Sequence, residues 1–403
     1  MNTKVISRQS EFMQQAIIIA CCFTALIVGN GTVISFAFGS FLVPVSTELG
    51  LSRSTATIAL MTAMMAVSIS APIVGRLIDR FGVRKIVLPS VVIFSLATMS
   101  VGVFANGPMS FIALYFFLGL FSSGQAPTAY SKVVAGWFKE KRGLALGVVM
   151  ASIGVGAALV PSFVHTLIAN FGWRGAYIGL GIAVFAIAFP AVVLGVNERN
   201  EYSGSKVILA GASSKDIWTS AEFWRMGVIF SLIGLVATGC IAHLIPMMSD
   251  RGISSADAVK IASTAGAAVI LGRVCVGFLL DRFNDRSVTV AILILMIAGA
   301  ILLAVAPTSG VIIGAVIMGV GLGAEVDMLG YMLARRYGMR SFGEAHGALF
   351  AMFTASSGIG AFLMGVSFDK TGVYTLGLYM FVGVLIIALV TSLWLKVEVK
   401  SES

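Results

Sequence analysis

GRLIDRF at residues 75–81 returns as GFLLDRF at residues 277–283, an offset of 202 in a chain of 403 residues. RGLALG at 142–147 and FGEAHG at 342–347 stand 200 apart, and Gly172 and Gly372 repeat that offset. One short match carries little weight. Three at nearly constant spacing, in corresponding places between apolar stretches, describe a chain built of two similar halves. Composition says what the halves are made of. Hydrophobic residues fill 58% of positions, and Asp, Glu, Lys and Arg together 11%, against about 25% charged residues in a soluble domain. Mean hydropathy is +0.99. A water-soluble fold cannot hide that much apolar surface, so the chain reads as an integral membrane protein.

A helix needs about 20 apolar residues to cross the hydrocarbon. Apolar runs lie at roughly 14–43, 55–78, 85–105, 108–137, 143–169 and 175–196, and again at 223–248, 257–280, 288–306, 310–334, 344–368 and 374–395. The expectation is an all-α membrane protein of twelve transmembrane helices in two pseudo-symmetric six-helix bundles. The bundles span 1–196 and 222–403, joined by a polar linker over 197–221. Repeated halves with a site between them are transporter architecture. With the N-terminus in the cytoplasm, only Arg53, Arg174, Arg251, Lys260 and Lys370 fall in outside loops and Arg273 within a span, leaving 21 of the 27 basic residues inside. That bias places both termini in the cytoplasm of a plasma (inner) membrane protein. The net charge of +9 is therefore topology, and no nucleic-acid partner is expected. The four cysteines, at 21, 22, 240 and 275, sit in apolar runs and form neither a disulfide framework nor a metal motif. The N-terminal polar stretch leads into a run too long for a signal h-region, so no cleaved leader is expected.

GRLIDRFGVRK at 75–85 resembles the signature between the second and third helices of the major facilitator superfamily. WFKEKRGLALG (137–147), FGWRGAY (171–177), LGRVCVGFLLDRF (271–283) and GAEVDMLGY (323–331) are similar to its bacterial monocarboxylate-transporter-like branch. The resemblance implies alternating access, with Asp79, Arg80, Arg84 and their second copy, Asp281 and Arg282, holding one conformer rather than binding substrate. Gly75 is expected at a close helix contact. Departures are visible. The fourth span, YFFLGLFSSGQAP, lacks the arginine of many proton-coupled members. GVGAALVP in the fifth lacks the Gly-Pro-Gly-Gly pattern of drug antiporters. The first span has no buried lysine, and Val269 stands where the animal carriers have an acid.

Ionisable groups at mid-membrane are expensive and normally functional. Arg273 lies eight residues before Asp281, about 12 Å along a helix and close to the midplane. Its planar donors suit a carboxylate, and the resemblance places a substrate-binding arginine here. A permanent salt bridge to Glu325 or Asp327 is the alternative. Those two acids are about 200° apart on a helix, so both are not expected to face one cavity. Asp327 shares its stripe with Tyr331 and is favoured; Glu325 then packs toward a neighbouring helix, protonated or paired with backbone. Burial raises a carboxyl pKa and a nearby guanidinium lowers it. A carboxyl beside Arg273 can therefore exchange its proton as a carboxylate substrate arrives.

Polar residues in apolar runs usually serve interhelical hydrogen bonds. Among them Asn30, Gln125 beside Pro127, and His243 near Pro246 are candidates for the substrate site, with Tyr331 and Phe353 on its wall. The glycine-rich stretches GVGLGAE and ASSGIGAF follow no strand and read as close-packing helix faces. With no nucleotide loop, metal cluster or nucleophile pattern, neither an enzyme nor a resident cofactor is expected, and the proton is the coupling ion. The expected activity is secondary transport of a small organic monocarboxylate by a lipid-embedded monomer. An aromatic-acid or dicarboxylate carrier, an exporter of amphipathic compounds and a membrane sensor without flux stand as rivals.

Overall fold

The computed structural model describes residues 2–138, 142–197, 211–338 and 340–396. Most of the linker and the Lys139–Lys141 part of the WFKEKRGLALG motif lie outside the described residues. Among the described residues there is no strand, only an isolated antiparallel bridge between Gly211 and Gly338.

The first span is α1 (Asn2–Ile27) and α2 (Phe38–Leu49), joined through a π-helical turn at Thr32–Phe36. Asn30 and Gly31 are poor helix formers, and Thr32 Oγ1 donates to the Gly29 carbonyl at 2.8 Å, closing the break. α3 (Arg53–Phe81) and α4 (Val83–Phe104) are the second and third spans. The fourth is also discontinuous. α5 (Pro108–Ser122) ends in a 3₁₀ turn, and α6 (Pro127–Trp137) starts afresh. Pro127 lacks an N–H and pushes the residue before it out of the helical region; Ala126 is extended at φ −74°, ψ 150°. α7 (Arg142–Gly195) holds the fifth and sixth spans, which turn at Gly172, φ 67°. Only glycine adopts that conformation cheaply, and its repeat mate Gly372 has φ 72°.

After the short α8 (Ser214–Trp218) come α9 (Ala221–Asp250), α10 (Ser255–Arg282), α11 (Asp285–Val305), α12 (Thr308–Tyr337), α13 (Phe342–Thr371) and α14 (Thr375–Ser392). Among the described residues, eleven helical segments are long and apolar enough to cross a membrane, one of them the 53-residue stretch that folds back at Gly172. Twelve spans result. The side-chain hydroxyl of Ser214 and the Trp218 indole both donate to Glu344 (2.6 and 3.1 Å), which ties α8 to α13.

Buried apolar side chains form two clusters. One draws almost wholly on α1 to α7, the other mainly on α8 to α14. In the first, Phe41 stacks on Tyr177 with ring centroids 3.8 Å apart, and the Tyr115 and Tyr177 hydroxyls meet at 2.5 Å. The clusters face each other along α3–α13 and α7–α10. Glycines make these seams. A Cβ on Gly266 of α10 would sit 2.3 Å from the Ala157 carbonyl of α7, and one on Gly358 of α13 would sit 2.9 Å from Cα of Met61 in α3.

The two ends of the seam differ. At one end Arg53 of α3 reaches across. Its Nη2 donates to both oxygens of Asp250 at 3.1 Å, and its Nη1 donates to the Tyr374 hydroxyl at 3.1 Å. In return Asp369 of α13 accepts the backbone N–H groups of Arg53 and Ser54, each at 2.9 Å. The first turn of α3 is thus capped by a carboxylate from the other half. At the opposite end, a Cβ placed on Gly75, Gly143, Gly147, Gly277, Gly343 or Gly347 would meet nothing within 4 Å. Gly75 is therefore not at a close helix contact here, contrary to the sequence reading, because the halves stand apart at its end.

Candidate functional site: a cavity between the halves

A cavity of about 800 Å³ lies between the halves and reaches the open end. Its first-half wall is made where the helices are irregular. The Gly29–Phe36 break of the first span and the α6 N-terminus at Pro127 and Thr128 both line it. A helix interruption at depth is tolerated where it borders a cavity. The opposite wall comes from α10, α12 and α13 and carries the charges: Arg273, Asp281, Glu325 and Asp327.

Arg273 and Asp327 are paired. Nη1 of Arg273 donates to both carboxylate oxygens of Asp327 at 2.9 and 3.1 Å. The arginine side chain is 11% exposed and the aspartate 37%. The arginine Nε is buried and has no partner among the described residues. Glu325 is 2% exposed, and its Oε2 likewise lacks a partner. Both acids line the cavity, against the expectation that only one does. The lining residues of α12 include Leu322, Glu325, Asp327, Gly330 and Tyr331. At 100° per residue these cover more than one face. The cavity therefore reaches more than one side of α12.

Other predicted site residues divide. Tyr331 lines the cavity, its hydroxyl donating to the Leu280 carbonyl and accepting from Arg335, both at 3.1 Å. Asn30 and Phe353 line it as well. Gln125 and His243 do not. Gln125 is fully buried behind the fourth-span break, where its Oε1 accepts from the Tyr130 hydroxyl at 2.7 Å. His243 is fully buried, with Nε2 2.9 Å from the Ala361 carbonyl and Nδ1 3.1 Å from the Tyr374 hydroxyl. The carbonyl only accepts, so Nε2 carries the hydrogen and Nδ1 accepts from Tyr374. His243 thus belongs to the Arg53 network at the closed end.

The expected gating residues cluster at the open end. Lys132 donates to Asp79 at 2.8 Å, within the first half. Arg84 binds Asn197 at 2.5 Å and the Val193 carbonyl at 2.9 Å, also within that half. Arg80 and Arg282 lie over Phe81 and Phe278, at 5.1 and 3.9 Å. None of these contacts crosses between the halves. Sequence reading missed Thr32, Ser131, Thr238 and Ser357 on the cavity wall. It also missed the bridging role of Arg53, which looked like one more loop charge. The Gly31-Thr32 break was the only local signal for any of them. No group of three His, Cys, Asp or Glu able to hold a metal occurs among the described residues.

Known proteins agree with this architecture. A protein described as "Probable nitrate/nitrite transporter NarK2" from Mycobacterium tuberculosis is 27% identical over 388 residues, covering 89% of this chain and 92% of that protein. Monocarboxylate transporter 12-B of Danio rerio is 27% identical over 202 residues, 42% of each chain. A bacterial homolog to the human lysosomal transporter Spinster, solved in an inward-facing and occupied conformation, superposes with a TM-score of 0.72. That match has 15% identity and covers 95% of this chain and 96% of that one. The sequence matches the family description over residues 19–309 and 245–403. With twelve spans, a repeated half and a cavity between the halves, the chain is a multi-pass membrane transporter that belongs to the Major Facilitator Superfamily.

Proposed function

We propose that this transporter carries a small organic monocarboxylate together with a proton, by alternating access. One observation carries the reading. A guanidinium inside a membrane-embedded cavity is held by both oxygens of a carboxylate. A substrate carboxylate is the chemical replacement for that partner. Protonation of Asp327 releases Arg273, Arg273 takes the substrate, and one proton moves with one anion. The basic-residue bias puts the Arg53 end outside and the open end in the cytoplasm. The conformer is then inward-open, with both termini cytoplasmic in a plasma (inner) membrane. The cycle needs no cofactor besides the proton and no catalytic group.

Similarity to a monocarboxylate transporter and to a nitrate/nitrite transporter supports an anionic substrate. The size and largely apolar lining of the cavity favour, as a second reading, a bulkier aromatic acid or an amphipathic compound. Uptake of labelled lactate, pyruvate and benzoate into proteoliposomes, with and without an inward proton gradient, separates the two. Gradient-driven uptake of the small acids, absent in Arg273→Gln, is the expected result. Uptake of benzoate alone selects the second reading. No uptake of any of them by folded protein removes the carboxylate reading.

A further inference from the structure

Asp327 accepts from one terminal nitrogen of Arg273, Nη1, but Glu325 has no such tie. It is 2% exposed, lines the cavity, and its Oε2 finds no hydrogen-bond partner among the described residues. A buried carboxyl without a partner is costly, and orphaned polar atoms in a folded interior call for an explanation. Its neighbours Leu322, Ala324 and Leu329 along α12 carry no hydrogen-bonding side chain. Its helix, α12, packs directly on α10, which carries Arg273. Nε of Arg273 is itself buried and unpartnered. Arg273 and Glu325 thus line one cavity, each with a polar atom that no described residue satisfies.

A ligand that satisfies both brings an acceptor to Arg273 and a hydrogen-bond donor to Glu325. The lining charges point the same way. Asp327 already matches the charge of Arg273, and Glu325 adds a second carboxyl to the same cavity. A bare carboxylate adds to that negative excess, and a donor beside the carboxylate offsets it locally. We propose that Glu325 sets the substrate class: a carboxylate bearing a hydroxyl or ammonium group on the adjacent carbon, with the carboxylate on Arg273 and the donor on Glu325. The proposal rests on the carboxylate reading above. It assigns Glu325 to recognition and leaves proton exchange to Asp327.

Titration calorimetry on the purified protein tests it, with lactate (hydroxyl), alanine (ammonium), pyruvate (acceptor only) and propionate (neither). The expected result is that lactate or alanine binds at least tenfold tighter than propionate and pyruvate, because a site built for a donor rejects the analogue lacking it. Whether lactate or alanine leads identifies the donor. Glu325→Leu brings the leading acid down to the level of propionate measured in the same variant. Glu325→Gln keeps the shape and adds an amide donor, so it raises pyruvate relative to lactate even if the leucine variant fails to fold. Equal binding of all four acids to the parent overturns the proposal while the carboxylate reading stands. So do equal losses for all four in Glu325→Leu, or an unchanged pyruvate-to-lactate ratio in Glu325→Gln. If none of the four binds, or if all bind as well to Arg273→Gln, the carboxylate reading fails and this proposal with it.

Discussion

Inserting a guanidinium at mid-membrane costs about 2.5–3.5 kcal/mol on translocon scales, and Arg273 offsets that cost through the two oxygens of Asp327. Hydrogen bonds to charged groups contribute about 1.5–3 kcal/mol each. Arg273→Lys keeps the charge but loses the planar grip, so carboxylate affinity measured by calorimetry is expected to fall roughly tenfold. Asp327→Asn removes the titrating group and leaves the arginine free. Counterflow exchange of labelled substrate should survive in that variant, and accumulation driven by a proton gradient should be lost. Loss of both would make the pair a structural lock. The charges themselves were legible in sequence, because three ionisable groups in apolar runs stand out on hydropathy alone. Which acid meets Arg273 was not. That depends on how α12 is rotated against α10, and helical spacing cannot report it.

The elements that meet at the closed end act as a latch. Arg53 at the start of α3 holds the end of α9 through Asp250 and the start of α14 through Tyr374, and Asp369 of α13 caps α3 in return. The arginine side chain is only 13% exposed, so solvent screens these bonds less than it screens a surface pair. In Arg53→Ala, a cysteine placed at Thr238 should react with a maleimide added from the closed end about three- to tenfold faster, because about 1.4 kcal/mol of latch energy shifts a population tenfold. The seam glycines act on stability instead. A side chain at Gly266 runs into the Ala157 carbonyl, so Gly266→Val is expected to lower the melting temperature by several degrees, an overpacking cost of about 1–3 kcal/mol. Gly75→Ala meets open space in this conformer and should melt like the parent.

For the whole molecule, transport requires the closed seam to part. Ser162 of α7 and Ser263 of α10 lie in opposite halves with their hydroxyls 2.9 Å apart. Cysteines at both positions, in a background with the native cysteines replaced, should form a disulfide on oxidation. Uptake should then stop and return on reduction. Continued uptake by the cross-linked protein would mean that the halves do not separate along α7–α10. Among the described residues, Asp79 and Arg84 bond within their own half. Their end is the open one, and in the proposed cycle a bond across it would form in the other conformer.

The sequence by itself determined the membrane class, the twelve spans and the repeat, since all three rest on local hydropathy and spacing. The breaks in the first span near Thr32 and in the fourth before Pro127 came only with the structure. Tertiary structure alone decided that Arg53, Asp250, Asp369, Tyr374 and His243 form one network, that Gln125 sits behind the cavity, and that Glu325 and Asp327 share it. Those outcomes depend on how two rigid bundles are rotated against each other. A rotation of that kind brings together residues up to 321 positions apart in the chain, and no pattern along the chain encodes it.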